Sequence, residues 1–132
     1  MRNIENNTVC LNVANLKEFK QKIKNKFCSS ELGVFDENII KIQIKDLNFG
    51  VCFLKNKKRN GDFFVIKTDK LLDCGQFEIF SEKKNFYSDL YFLIFYSSEK
   101  EKYENFEILL QKISDDIFRK NIEKIKNKKD AI

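Results

Sequence analysis

Leu90-Tyr-Phe-Leu-Ile-Phe-Tyr96 decides the fold. It is the longest apolar run in the chain, and seven residues fall far short of the ~20 needed to span a bilayer as a helix. A strand apolar on both of its faces belongs at the centre of a sheet. Upstream, Phe49-Gly-Val-Cys-Phe-Leu54 has the same character and also reads as an interior strand. Ile40, Ile42 and Ile44 alternate with Lys41, Gln43 and Lys45, the period of a half-buried strand with one wet face. Thr8–Asn12, Asp62–Lys67 and Gln76–Phe80 supply further short strands. Asn60-Gly61 is the strongest hairpin signal present, because a type I′ turn needs positive φ at both central residues. It predicts a hairpin joining the 49–55 strand to the 62–67 strand.

Helices flank this region. Asn15 is a suitable cap, Glu18 follows three residues later, and Leu16, Phe19, Ile23 and Phe27 share one helical face. The spacing predicts a helix from Asn15 to about Cys28. Near the other end, Ser97 or Ser98 caps a long helix with Glu99 and Glu101 in its first turn. Its apolar stripe is Tyr103, Phe106, Leu110, Ile113, Ile117, Ile122 and Ile125. Acidic residues fall early and basic ones late, which complements the helix dipole. Residues 119–132 hold six basic and two acidic residues, a net of +4, and are expected to form a basic, fraying tail. The expected fold class is α+β: an N-terminal helix, an antiparallel meander of four to six strands and a long C-terminal helix. Both helices are expected on one face of the sheet. The 132 residues fit a single domain, 1–132.

Composition removes much chemistry. The chain has no histidine, so it has no histidine-dependent nucleophile, proton shuttle or mixed Cys/His zinc site. Cys10, Cys28, Cys52 and Cys74 lack the close pairing of a four-cysteine metal site and read as small, reduced, buried side chains. The four glycines are dispersed, which argues against a phosphate-binding loop. No cofactor, metal or small-molecule substrate is indicated. The first residues lack the apolar core of a signal peptide, so a cytoplasmic protein without membrane contact is expected. The abundance of Lys, Asn, Ile and Phe, all with AT-rich codons, points to a low-GC bacterium or its phages.

Three constellations remain. Glu31, Asp36 and the run Gln43-Ile-Lys45 resemble the PD-(D/E)xK nuclease core over about fifteen residues. That resemblance implies a Mg²⁺ site with Glu31 or Asp36 as ligand and Gln43 and Lys45 as the second half-motif; aspartate and glutamate are commoner where Glu31 and Gln43 stand. Asp73 with Glu82-x-Lys84 is a second, weaker match. Basic residues cluster in the first helix (Lys17, Lys20, Lys22, Lys24, Lys26), at Lys55, Lys57, Lys58 and Arg59, and in the tail. With only three arginines, base-specific readout of DNA is not favoured, whereas phosphate-led, non-specific nucleic-acid binding suits such patches. Most aromatics read as core, but Phe86 and Tyr87 beside Lys83 and Lys84 read as a contact loop.

The expectation is a small non-enzymatic binding protein acting on a protein or nucleoprotein, of the inhibitor or immunity type, including phage counter-defence. Its expected contact surface combines Lys55, Lys57, Lys58 and Arg59 with Lys83, Lys84, Phe86 and Tyr87. A non-specific nucleic-acid binder is the first alternative, and the Mg²⁺ nuclease the second.

Overall fold

A computed structural model describes residues 7–28, 33–45 and 47–126. The elements are β1 (Thr8–Leu11), α1 (Leu16–Phe27), β2 (Val34–Ile44), β3 (Leu47–Lys55), β4 (Phe63–Ile79), β5 (Glu82–Tyr96), α2 (Glu99–Ile113) and α3 (Asp116–Lys126). The strands form one sheet in the order β1-β4-β5-β3-β2. The class is α+β, as the sequence indicates, and β5 and β3 lie inside the sheet.

The sheet is mixed. β1 runs parallel to β4 and β3 parallel to β5, while β2–β3 and β4–β5 are antiparallel. The expected meander is corrected here: β5 inserts between β3 and β4, so the strands joined through Asn60-Gly61 are not neighbours. The reason lies in residues 90–96, which must be buried on both faces and find that burial at the centre of the sheet, where α1 covers one face and α2 and α3 the other.

Two cores follow from the alternation of side chains. On one face Phe49, Val51, Phe53, Phe92 and Ile94 meet Leu109 and Ile113 of α2 and Ile122 and Ile125 of α3. On the other Cys52, Leu54, Tyr91, Leu93 and Phe95 meet Phe19 and Ile23 of α1. Helices on one face only would leave a fully apolar sheet surface wet, and the structure covers both faces. Gly50 sits where a Cβ would come within 2.7 Å of Ile39 and of the Tyr91 ring, so only glycine fits that crossing.

The first helix forms as its sequence dictates. The Asn15 side chain accepts from the Glu18 N–H at 2.9 Å, and Phe19 and Ile23 are fully buried. The C-terminal helix departs from expectation. Ser98 caps it, but it breaks at Ser114-Asp115, where Asp115 Oδ1 accepts from the Ile117 and Phe118 amides and starts α3. Within α2 the buried stripe is already shifted, with Leu109 in the core and Tyr103 in solvent, and past the break Ile117 faces solvent while Ile122 and Ile125 turn inward. Residues 119–126, assigned from sequence to a fraying tail, are helical, and Ile122 and Ile125 are in the core. Residues 127–132 lie outside the described residues. No helix among the described residues is long and apolar enough to cross a membrane.

Candidate partner-binding surface

The strands β4 and β5 outrun the sheet. β1 pairs with β4 only as far as Thr68, and β3 meets β5 only from Tyr91 onward. Beyond the Lys67–Leu90 pair, residues 69–79 and 82–88 therefore have only each other as ladder partners, as a two-stranded arm. Register breaks between Lys67 and Leu72 and between Asp73 and Gln76 bend it. At its base Lys67 forms an ion pair with Asp89, both side chains less than 15% exposed. The Ser88 hydroxyl donates to the Asn48 carbonyl at 2.9 Å, tying the arm to β3.

The arm has an inner and an outer face. Leu72, Cys74, Phe77 and Phe86 point inward and join the α1-side core. Phe77 and Phe86 stack edge-to-face with centroids 5.2 Å apart. Cys74 Sγ lies 3.2 Å from the Tyr91 hydroxyl, which in turn donates to the Ser88 carbonyl at 2.8 Å. Burial pushes the thiols of Cys52 and Cys74 up and makes both poor nucleophiles. Outward, Leu71 is 58% exposed and Tyr87 43% exposed. At the tip, Phe80 and Ser81 form the two-residue connection between Ile79 and Glu82, both at positive φ (51° and 67°). Phe80 is 96% exposed.

This arm was not legible as such. Residues 83–87, read as a loop, are strand β5, and of the candidate contact residues there Phe86 is fully buried. That assignment is corrected: the pleat turns Phe86 into the core and Lys83 and Tyr87 outward, while Lys84, on the side of Phe86 but nearer the tip, is also exposed. Phe80, read from the sequence as the end of the 76–80 strand and as a core aromatic, is instead an exposed turn residue; Ile79-Phe-Ser-Glu82 contains none of the usual turn dipeptides.

The other half of the expected surface lies at the opposite end of β5. Loop 56–62 crosses the C-terminal end of that strand, with the Gly61 amide donating to the Phe95 carbonyl and the Phe95 amide to the Asp62 carbonyl. Lys55, Lys57 and Lys58 are exposed. Arg59 is committed internally: its guanidinium lies 4.4 Å from the Phe95 ring centroid and its Nε is 3.3 Å from Asp62. From Lys84 to Tyr96 the strand runs about 40 Å, so the two halves do not form one surface.

Of the nuclease constellation, the version built on Asp36 is not assembled. Glu31 lies outside the described residues. Asp36 and Gln43 occupy the same strand, β2, about 20 Å apart, and Lys45 follows in the turn. Asp36 is instead paired with Lys102 of α2 at 3.2 Å, and Lys102 lies over the Phe53 and Tyr96 rings. The Asn38 amide, with the Lys102 ammonium beyond it, holds the Asp36 carboxyl below its ordinary range. Asp73 lies opposite Tyr87, well up the arm from Glu82 and Lys84. Among the described residues, no three of His, Cys, Asp and Glu converge as metal ligands would. On the first helix, Lys22 reaches the Asn12 carbonyl and Glu18, and Lys24 pairs with Glu37, which leaves Lys17 and Lys26 as exposed members of that patch.

Compared with known proteins, the chain matches no family model, no curated protein and no solved structure.

Proposed function

We propose that this chain is a small non-enzymatic binding protein that acts by occupying a surface of a protein or nucleoprotein partner, in the manner of an inhibitor or immunity protein. A counter-defence role in a phage of a low-GC host is the biological setting that its composition suits. One observation carries the reading: a folded arm, fixed on its inner face by Leu72, Cys74, Phe77 and Phe86, holds Leu71, Tyr87 and Phe80 in solvent. Apolar side chains on a rigid projection cost solubility and return nothing to the chain's own core. Tyr87 offers contact area at small entropic cost, because its backbone is already ordered in a strand.

The test uses the double variant Leu71→Ser/Tyr87→Ala. Its circular dichroism and thermal midpoint should stay near wild type, because both side chains are exposed, while recovery of a cross-linked partner from cells carrying the gene should fall at least tenfold. Undiminished recovery would reject the arm. The exposed Lys55, Lys57 and Lys58 favour the alternative, a phosphate-led nucleic-acid binder. A gel shift on labelled DNA and RNA separates the two. Retention at low salt that collapses toward physiological salt, and is lost in Lys57→Glu/Lys58→Glu, would move the conclusion to that alternative.

A further inference from the structure

We infer that Phe80 is the anchor of this surface and that it inserts into an apolar pocket, large enough for one aromatic ring, on a protein partner. This rests on the binding reading above and names the chemistry of the partner's site. Two independent costs meet at this residue. A phenyl ring 96% exposed forgoes burial entirely. A φ of 51° is a backbone conformation that glycine, asparagine and aspartate adopt readily and a bulky residue does not. Ser81 carries the same sign of φ at 67°, so the turn geometry is set by the hairpin and not by the residues in it. Among the described residues, the 96% exposure of Phe80 leaves its ring almost without contacts to repay either cost.

The tip is also held firm. Phe77 and Phe86 stack three to six residues from Phe80 and pack into the α1-side core, so the turn is delivered on an ordered stem. An anchor that is already ordered loses little entropy on binding. The charges around it choose the occupant. Residues 78–84 carry Glu78 and Glu82 against Lys83 and Lys84, a net of zero, and Glu78 stands opposite Lys83 in register. A tip that stacked on bases or entered an anionic bilayer would carry a basic surround to draw in phosphate. A neutral ring of mixed charges about a single exposed aromatic is the pattern of an interface centre with a polar rim.

The experiment has two stages. First, p-benzoylphenylalanine in place of Tyr87 is used to cross-link, identify and then purify the partner. Second, wild type, Phe80→Ala and Phe80→Asn are titrated against that purified partner by surface plasmon resonance. Phe80→Ala and Phe80→Asn should each weaken binding by about 30-fold or more, as loss of an anchor does. The thermal midpoint of Phe80→Asn should hold or rise by a few degrees, because asparagine relieves the turn. Affinity within about threefold of wild type would overturn the anchor while leaving the binding reading intact. No cross-linked partner from position 87 would overturn both. Two further probes cover other occupants: phosphatidylglycerol vesicles and a labelled single-stranded oligonucleotide. Binding to either that depends on Phe80 would overturn the protein-pocket assignment.

Discussion

Two short turns lie at opposite ends of β5, and they contradict their own sequences. Asn60-Gly61 has the best hairpin chemistry in the chain and joins strands that do not pair. Phe80-Ser81 has none and closes the longest hairpin in the sheet. The difference shows which level of the structure wins. Pairing is decided by residues 90–96, whose two apolar faces demand the centre of the sheet, where helices cover both faces, and turn residues accommodate the outcome. At Asn60-Gly61 the accommodation is comfortable: Gly61 takes a φ of 85°, and the Asn60 side chain accepts from the Ser97 amide and from Asn105. At Phe80-Ser81 it is not, and a local conflict that folding tolerates without visible return is where a contact function is to be sought.

If β5 is the organiser, damage to its centre is the largest effect available. Phe92→Ala removes a fully buried ring from the α2/α3-side core and should cost about 3–5 kcal/mol in urea unfolding. A loss below about 1 kcal/mol would mean that β5 does not organise the sheet. Next in size is the arm's base. Asp89→Ala leaves Lys67 in a site less than 15% exposed with no carboxylate, which should cost about 3 kcal/mol. Hydrogen exchange should then rise in residues 69–88 before it rises in 49–55. Uniform acceleration would mean that the arm is not a separable unit.

The two turns themselves should respond with opposite signs. A Cβ at Gly61 meets nothing within 4 Å, so Gly61→Ala isolates the backbone cost and should destabilise by about 1 kcal/mol. Phe80→Gly should stabilise or leave stability unchanged, because the same positive φ costs glycine little. Destabilisation of similar size in both would erase the contrast and assign the Phe80 ring a structural role after all.

What was legible in the sequence was whatever is set locally or by alternation. The Asn15 cap, the faces of Phe19 and Ile23, and the interior character of 49–54 and 90–96 all follow from spacing alone. What was not legible depends on partners distant in the chain. The insertion of β5 between β3 and β4 is a choice among pairings that share the same binary pattern. The break at Ser114-Asp115 required knowing that the helix must re-aim Ile122 and Ile125 at the sheet. Among the candidate site residues, Lys57, Lys58 and Tyr87 are exposed as expected. Phe86 was misassigned because a strand mistaken for a loop loses its inward face, and Phe80 was placed in a strand and in the core because its turn carries no turn chemistry.

The smallest effect tests the pair that fastens α2 to the edge strand beside the 56–62 end of the sheet. The Asn38 amide first, and Lys102 second, hold the Asp36 carboxyl below its ordinary pKa. Burial works against the Lys102 ammonium most strongly of any single cause, but the hydrogen bond to Asp36 together with the charges of Tyr96, Asp36 and Glu99 outweighs it and leaves the pKa raised. A lowered carboxyl pKa stabilises the fold above the unfolded value of about 4, and that contribution is lost as pH falls through the folded value. The raised ammonium pKa contributes below the unfolded value of about 10.4 and is lost as pH climbs through the folded value. Asp36→Asn keeps the shape and an acceptor for the Asn38 amide but removes the charge. It should cost about 0.5–1 kcal/mol at pH 7, with the gap to wild type closing toward pH 3. Acid sensitivity should persist in the variant, because Asp69, which accepts from the Val13 amide at 2.9 Å, is also held low and lies on a different part of the sheet. A gap that stayed constant with pH would show that Asp36 acts through packing, and that the Lys102 clamp is held by the Phe53 and Tyr96 rings alone.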